Sequence, residues 1–93
     1  MSKTFVLVHG AWHGGWCWAR VAKLLRAQGH TVFTPTLTGL GERAHLFGPG
    51  ITLTTHIADV VNLMKWEKLD GVVLCGRSYG GIVRLGVAEQ VER

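Results

Sequence analysis

The chain alternates short, continuously apolar runs with stretches whose apolar residues recur at helical spacing. Residues 4–9 read Thr-Phe-Val-Leu-Val-His, β-branched and unalternating, the pattern of a strand covered on both faces. Residues 16–28 set Trp18, Val21, Leu24 and Leu25 on one side and Arg20 and Lys23 on another, which predicts an amphipathic helix; Gly29 stands where such a helix ends. Residues 31–34 predict a second strand, closed by Pro35. Residues 36–53 hold Gly39, Gly41, Gly48, Pro49 and Gly50, an excursion long enough to be either functional or poorly ordered. Thr54 or Thr55 is then placed to cap a helix running to about Leu69, with Ile57, Val60, Val61 and Met64 as its buried stripe. Residues 72–75 predict a third strand. From Tyr79 to the end the spacing predicts a third helix that buries Ile82, Val83, Val87 and Val91.

The order β-α-β-α-β-α predicts one α/β domain over residues 1–93, without repeats or an internal linker. The expected arrangement is a three-layer, parallel three-stranded sheet, strand order 2-1-3, with helices on both faces; with the first strand central, right-handed crossovers set which face each helix covers. The first helix covers one face and the other two the opposite face. A crevice then opens at the carboxyl ends of strands one and three, where open α/β sheets bind ligands. Two glycine-rich turns leave those strands: His9-Gly-Ala-Trp-His-Gly-Gly-Trp16 and Gly76-Arg-Ser-Tyr-Gly-Gly81.

Composition changes this picture in two respects. Hydrophobic residues make up 47% of the 93 and charged residues 17%, and the mean hydropathy is +0.22. Small domains have much surface to cover with polar groups, so this balance implies apolar surface hidden against something else. The net charge of +4 is dispersed and forms no stripe interleaved with aromatics, so no nucleic-acid partner is expected. The two cysteines, Cys17 and Cys75, show no metal-ligand or redox spacing, and Cys75 is expected as a buried free thiol. No metal or cofactor is expected, and the absence of G-x-G-x-x-G or a Walker-type loop argues against a flavodoxin-like nucleotide binder. The apolar run 5–8 is too short for a secretory leader, and no run is long enough to span a membrane. A cytoplasmic protein with no membrane partner is the resulting expectation.

Gly76, Ser78 and Gly80 match G-x-S-x-G, the strand-to-helix turn that exposes a serine nucleophile. A serine on so tight a turn has strained backbone angles, and small residues two positions either side avoid a clash. The helix behind it directs free N–H groups and a positive dipole end at the same point. The segments Phe5-Val-Leu-Val-His-Gly-Ala-Trp-His-Gly-Gly-Trp16, Gly39-Leu-Gly-Glu-Arg43 and Val73-Leu-Cys-Gly-Arg-Ser-Tyr-Gly-Gly81 together resemble the α/β-hydrolase superfamily. The resemblance covers essentially the whole chain. It is strongest to small carboxylesterases, plant methylesterases and hydroxynitrile lyases. It implies Ser78 as nucleophile and the backbone N–H groups of Tyr79 and Ala11 as oxyanion hole.

The family's order is nucleophile, acid, histidine. Residues 79–93 contain no histidine, and their acids, Glu89 and Glu92, fall well along the third helix. The chain therefore reads as the N-terminal part of such a hydrolase. At most weak esterase activity on small activated esters is expected; the alternative is a non-catalytic, dimer-forming module. A hydroxynitrile-lyase reaction would need the same histidine. Among the five histidines, His13 on the crevice loop and His45 in the excursion are the candidate substitute bases. His9 is expected to pack and hydrogen-bond, His30 lies at the wrong end of the sheet, and His56 has no evident claim. Arg77 stands where the family commonly has histidine, and either alters the packing or turns outward. Arg84 amid Ile82, Val83 and Leu85 suits a helix facing water. Trp12, Trp16 and Trp18 are expected beside the crevice, as packing or as an apolar pocket wall. The outer edge of the third strand predicts a homodimer.

Overall fold

In the computed structural model, which describes residues 2–91, strands β1 (Thr4–Val8), β2 (Thr31–Phe33) and β3 (Val72–Gly76) form a parallel sheet in the order β2-β1-β3. Thr4 lies beside both Thr31 and Val72, and Val8 is level with Gly76. The central strand earns its unalternating apolar run by being covered twice. Val6 and Val8 enter a core with Leu37, Val60, Val83 and Val87, while Leu7 enters a second core with Ala22 and Val32. Helix α1 (Ala19–Ala27) covers the second; α2 (Leu53–Trp66) and α3 (Tyr79–Val91) cover the first.

The helices differ from expectation in where they start and which flank they bury. Residues 15–18 form a 3-10 turn ahead of α1, because Gly15 is pressed on the end of β2. A Cβ there would collide with the Thr34 carbonyl, and the Gly15 N–H donates to Thr36 Oγ1 at 2.8 Å. The stripe of α1 is Trp18, Ala22 and Leu25, leaving Val21 and Leu24 exposed. At its end Gly29 takes φ +89, with His30 N–H on Leu25 O and Gly29 N–H on Arg26 O, the paired bonds of a left-handed helix stop.

Helix α2 is capped by Thr52 rather than Thr54 or Thr55: Thr52 and Thr55 bond reciprocally across the first turn. It ends at Trp66, and Lys68 at φ 54 makes the same kind of stop without glycine. In α3, Val83 and Val87 are buried as expected, but Ile82 and Val91 are 54% and 48% exposed. The residues one turn apart, Val83 and Val87, face the sheet, and Ile82 lies about 100° around the helix from Val83. Cys75 is half-buried and Arg84 half-buried rather than projecting into water. Glu92 and Arg93, included in the predicted third helix, lie outside the described residues.

Among the described residues β3 has a strand neighbour on one side only. Where β3 meets α2 and α3 there is a groove of about 560 Å³ lined by Met64, Leu69, Val72, Leu74, Arg84 and others.

Candidate active site

The turn between β3 and α3 is built as its glycines require. Ser78 has φ 56, left-handed and costly for an L-residue, and it is exposed. A Cβ on Gly76 would collide with the Gly80 carbonyl, and one on Gly80 would collide with the Val8 carbonyl. The turn is closed by Gly80 N–H on Arg77 O (2.8 Å) and Gly81 N–H on Ser78 O (2.9 Å), while Arg77 N–H reaches Val8 O at 3.1 Å. A Cβ on Gly10 would stand 3.2 Å from Ser78 Cβ and 3.8 Å from its Oγ, so the two glycine-rich turns touch at the serine. Tyr79 is the first residue of α3, among the N–H groups without an intrahelical acceptor.

His9 explains why the first turn holds its shape. The ring is wholly buried, Nε2 accepts the Leu37 N–H at 2.9 Å, and Nδ1 therefore donates to Gly10 O at 2.7 Å. Burial holds its pKa below the usual 6.5, opposed in part by the Gly10 carbonyl and the charge of Glu42. The excursion after β2 is ordered, with a 3-10 turn at Gly41–Leu46. Thr36 hydroxyl donates to Glu42 at 2.7 Å, which is the main cause of that carboxyl's lowered pKa. Arg43 donates to Thr36 O at 2.8 Å.

The structure brings one further histidine to the site. His56 in the first turn of α2 is buried, with Nδ1 2.7 Å from the Tyr79 hydroxyl and Nε2 2.9 Å from Thr38 O. Sequence reasoning passed over it because it lies 23 residues from Tyr79. The available signal was its position four residues before Val60, which puts it on the buried stripe of the helix. His13 and His45 are exposed, and among the described residues neither is hydrogen-bonded to Ser78. His13 instead stands edge-on to Trp16. His30, at the far end of the sheet, accepts the Lys3 N–H.

Beside the elbow is a pocket of about 210 Å³ lined by Ala11, Trp12, Leu40, Phe47, His56 and Tyr79. Trp12 and Phe47, 90% and 70% exposed, form its rim. Trp16 is also largely exposed, whereas Trp18 turns away into the α1 core, so the three tryptophans do not form one cluster. Burial raises the pKa of the Tyr79 hydroxyl. Arg77 is exposed and turned outward; its charge partly offsets the rise that burial causes in the Cys17 thiol. Among the described residues no group of three or more His, Cys, Asp or Glu is placed to hold a metal ion, and no helix is long and apolar enough to cross a membrane.

The model of the alpha/beta hydrolase family matches residues 5–92. A carbendazim hydrolyzing esterase from Nocardioides sp. (strain SG-4G) is 59% identical over 87 residues, covering 94% of this chain and 36% of that protein. Salicylic acid-binding protein 2 of Nicotiana tabacum is 40% identical over 88 residues, covering 94% of this chain and 34% of that one. Among solved structures, an extracellular α/β-hydrolase from a Paenibacillus species superposes with a TM-score of 0.87 at 37% identity, covering 97% of this chain and 36% of its own. The chain thus spans about a third of the length of these relatives.

Proposed function

Since the chain belongs to the α/β-hydrolase family, we propose that Ser78 is the nucleophile of an esterase-like site for small activated esters, with the backbone N–H groups of Tyr79 and Ala11 as its oxyanion hole. The observation that carries this reading is the left-handed Ser78 at the start of α3, set against Gly10 and beside an apolar pocket. Related proteins named as an esterase and methylesterases support ester substrates.

Ser78 Oγ attacks the ester carbonyl carbon and forms the new C–O bond as its proton leaves to solvent. The carbonyl oxygen takes the negative charge, where the two N–H groups donate to it. Collapse of this tetrahedral species expels the alcohol portion as alkoxide, which water protonates. The acyl group then stays on Ser78 until water hydrolyses it. Without a histidine bonded to Ser78 the serine is a weak nucleophile. A triad protease stripped of its triad still keeps about 10³–10⁴ over water from oxyanion hole and binding. Slow turnover of activated esters is therefore the expected level for this chain.

The second reading, a non-catalytic module that dimerises, draws on the single strand neighbour of β3 among the described residues and on the groove beside it. The proposed partner is a second copy of this chain, joined through the outer edge of β3, which closes the unpaired row of backbone groups on both copies. A monomeric mass by light scattering across micromolar concentrations would rule that out. The free thiols Cys17 and Cys75 suit a reducing cytoplasm.

Labelling with a fluorophosphonate, read by intact mass, tests the first reading. One adduct that disappears in Ser78→Ala supports an assembled elbow and oxyanion hole. No adduct on either protein leaves the non-catalytic reading.

A further inference from the structure

We propose that His56 is a positioning residue for this site: it locks the Tyr79 side chain, and through it the backbone N–H assigned to the oxyanion hole. The proposal deepens, and rests on, the esterase reading of Ser78. It starts from a grip on the excursion after β2. Asp59 accepts both the Thr38 N–H and the Thr38 hydroxyl, each at 2.7 Å, and His56 meets the Thr38 carbonyl at 2.9 Å. His56 and Asp59 are three residues apart and so share one side of α2. One helix therefore holds both backbone polar groups of Thr38.

The tautomer follows from the partners. A carbonyl only accepts, so His56 Nε2 carries the hydrogen, and Nδ1 of the neutral ring accepts the Tyr79 hydroxyl proton. The two rings also meet edge-on, with centroids 5.5 Å apart. Tyr79 directly follows the strained Ser78 and opens α3, so the orientation of its ring is coupled through Cα to the N–H at the elbow. A buried ring with both nitrogens bonded to different segments passes the fixed position of Thr38 to that point.

The same bond decides the character of the pocket. With its hydroxyl committed to His56, Tyr79 joins Ala11, Trp12, Leu40 and Phe47 as an apolar wall. The group that enters beside the oxyanion hole is accordingly an apolar acyl or alcohol portion without a charge.

The test compares His56→Leu, His56→Gln and Tyr79→Phe in the full chain, by the limiting rate and half-saturating concentration of fluorophosphonate labelling. The glutamine amide spans its acceptor and donor much as the imidazole does, so it restores both bonds. His56→Leu and Tyr79→Phe are each expected to lower the limiting rate about 10-fold with little change in half-saturation. His56→Gln should return to within about 3-fold of the parent, and the double variant His56→Leu/Tyr79→Phe should be no slower than either single one. Labelling of His56→Leu or Tyr79→Phe at the parent rate overturns the proposal, as does a glutamine variant no faster than leucine. Tyr79→Phe, nearly isosteric, keeps the test decisive where His56→Leu fails to fold. If the parent chain itself does not label, the esterase reading fails, and NMR of the Tyr79 ring and amide decides this one. A ring that flips slowly in the parent and in His56→Gln but rapidly in His56→Leu upholds the lock; rapid flipping in the parent overturns it.

Discussion

Replacing Ser78 by glycine should make the protein more stable than replacing it by alanine, although both changes delete the same hydroxyl. Ser78 sits at φ 56 and is exposed, so its side chain contributes little burial to lose. A residue with a Cβ held in the left-handed region costs about 1–2 kcal/mol. Glycine releases that cost but returns about 0.4–1 kcal/mol of it through the greater freedom of the unfolded chain. The balance is about 1 kcal/mol in favour of glycine, which for a domain of this size raises Tm by about 4–8 °C. Lys68, at φ 54 in the stop after α2 and far from the crevice chemistry, provides the internal standard. Lys68→Gly should gain about the same, since the backbone conformation is nearly the same. Thermal and urea unfolding of the parent chain, Ser78→Ala, Ser78→Gly and Lys68→Gly measure all of this. If Lys68→Gly gains and Ser78→Gly does not exceed Ser78→Ala, the serine is not held in the left-handed turn and the elbow is not assembled. If neither glycine gains, the strain argument itself is wrong.

Gly80→Ala should prevent stable folding, because its Cβ would strike backbone carbonyls of Val8 and His9 that cannot move aside. The cost, about 3 kcal/mol or more, is a large share of the stability of a small domain, and circular dichroism with urea titration reads it. A variant that unfolds like the parent would refute the close approach of the two turns. Gly10→Ala is milder: contacts at 3.1 Å to Arg77 O and 3.2 Å to Ser78 Cβ require a shift of tenths of an ångström. It should cost about 1 kcal/mol yet slow fluorophosphonate labelling more than about 10-fold, so unchanged labelling would detach Gly10 from the site. Below neutral pH, His9 should lower stability. Its pKa is depressed by burial below 6.5, so the unfolded chain binds the proton more readily than the folded one. Stability is therefore full above pH 6.5 and lost as pH falls through 6.5 toward the folded value, as Tm against pH and the His9 ring resonance would show; a ring titrating at or above 6.5 refutes it.

The local rules of the chain determined most of the frame. An apolar run with no alternation means a strand covered twice, and β1 is that strand. The spacing of Gly76, Ser78 and Gly80 carries its own reason, because each glycine stands where a Cβ would meet backbone carbonyl. With β1 central and the order 2-1-3, the handedness of crossovers fixes which face each helix covers, and it depends on backbone chirality and not on any particular side chain. Periodicity was less informative about rotation. It marks an apolar side of α1 and α3 but not its centre, so Leu24 and Ile82, expected inward, stand exposed. Which flank of a helix is buried depends on how close the helix approaches its sheet, and that distance is set by small residues such as Ala22 and Gly80 on both partners at once.

Tertiary structure alone decided the partners of polar side chains far apart in sequence. Nothing local marks His56 as the acceptor of the Tyr79 hydroxyl, or Asp59 as the holder of Thr38, since each pair is separated by more than 20 residues. A hydrogen bond is short-ranged and directional, so it exists only once hydrophobic burial has brought its donor and acceptor to within about 3 Å. The sequence by itself determined that a serine would stand at the end of β3; only the packing of α2 against α3 determined what holds the residue beside it.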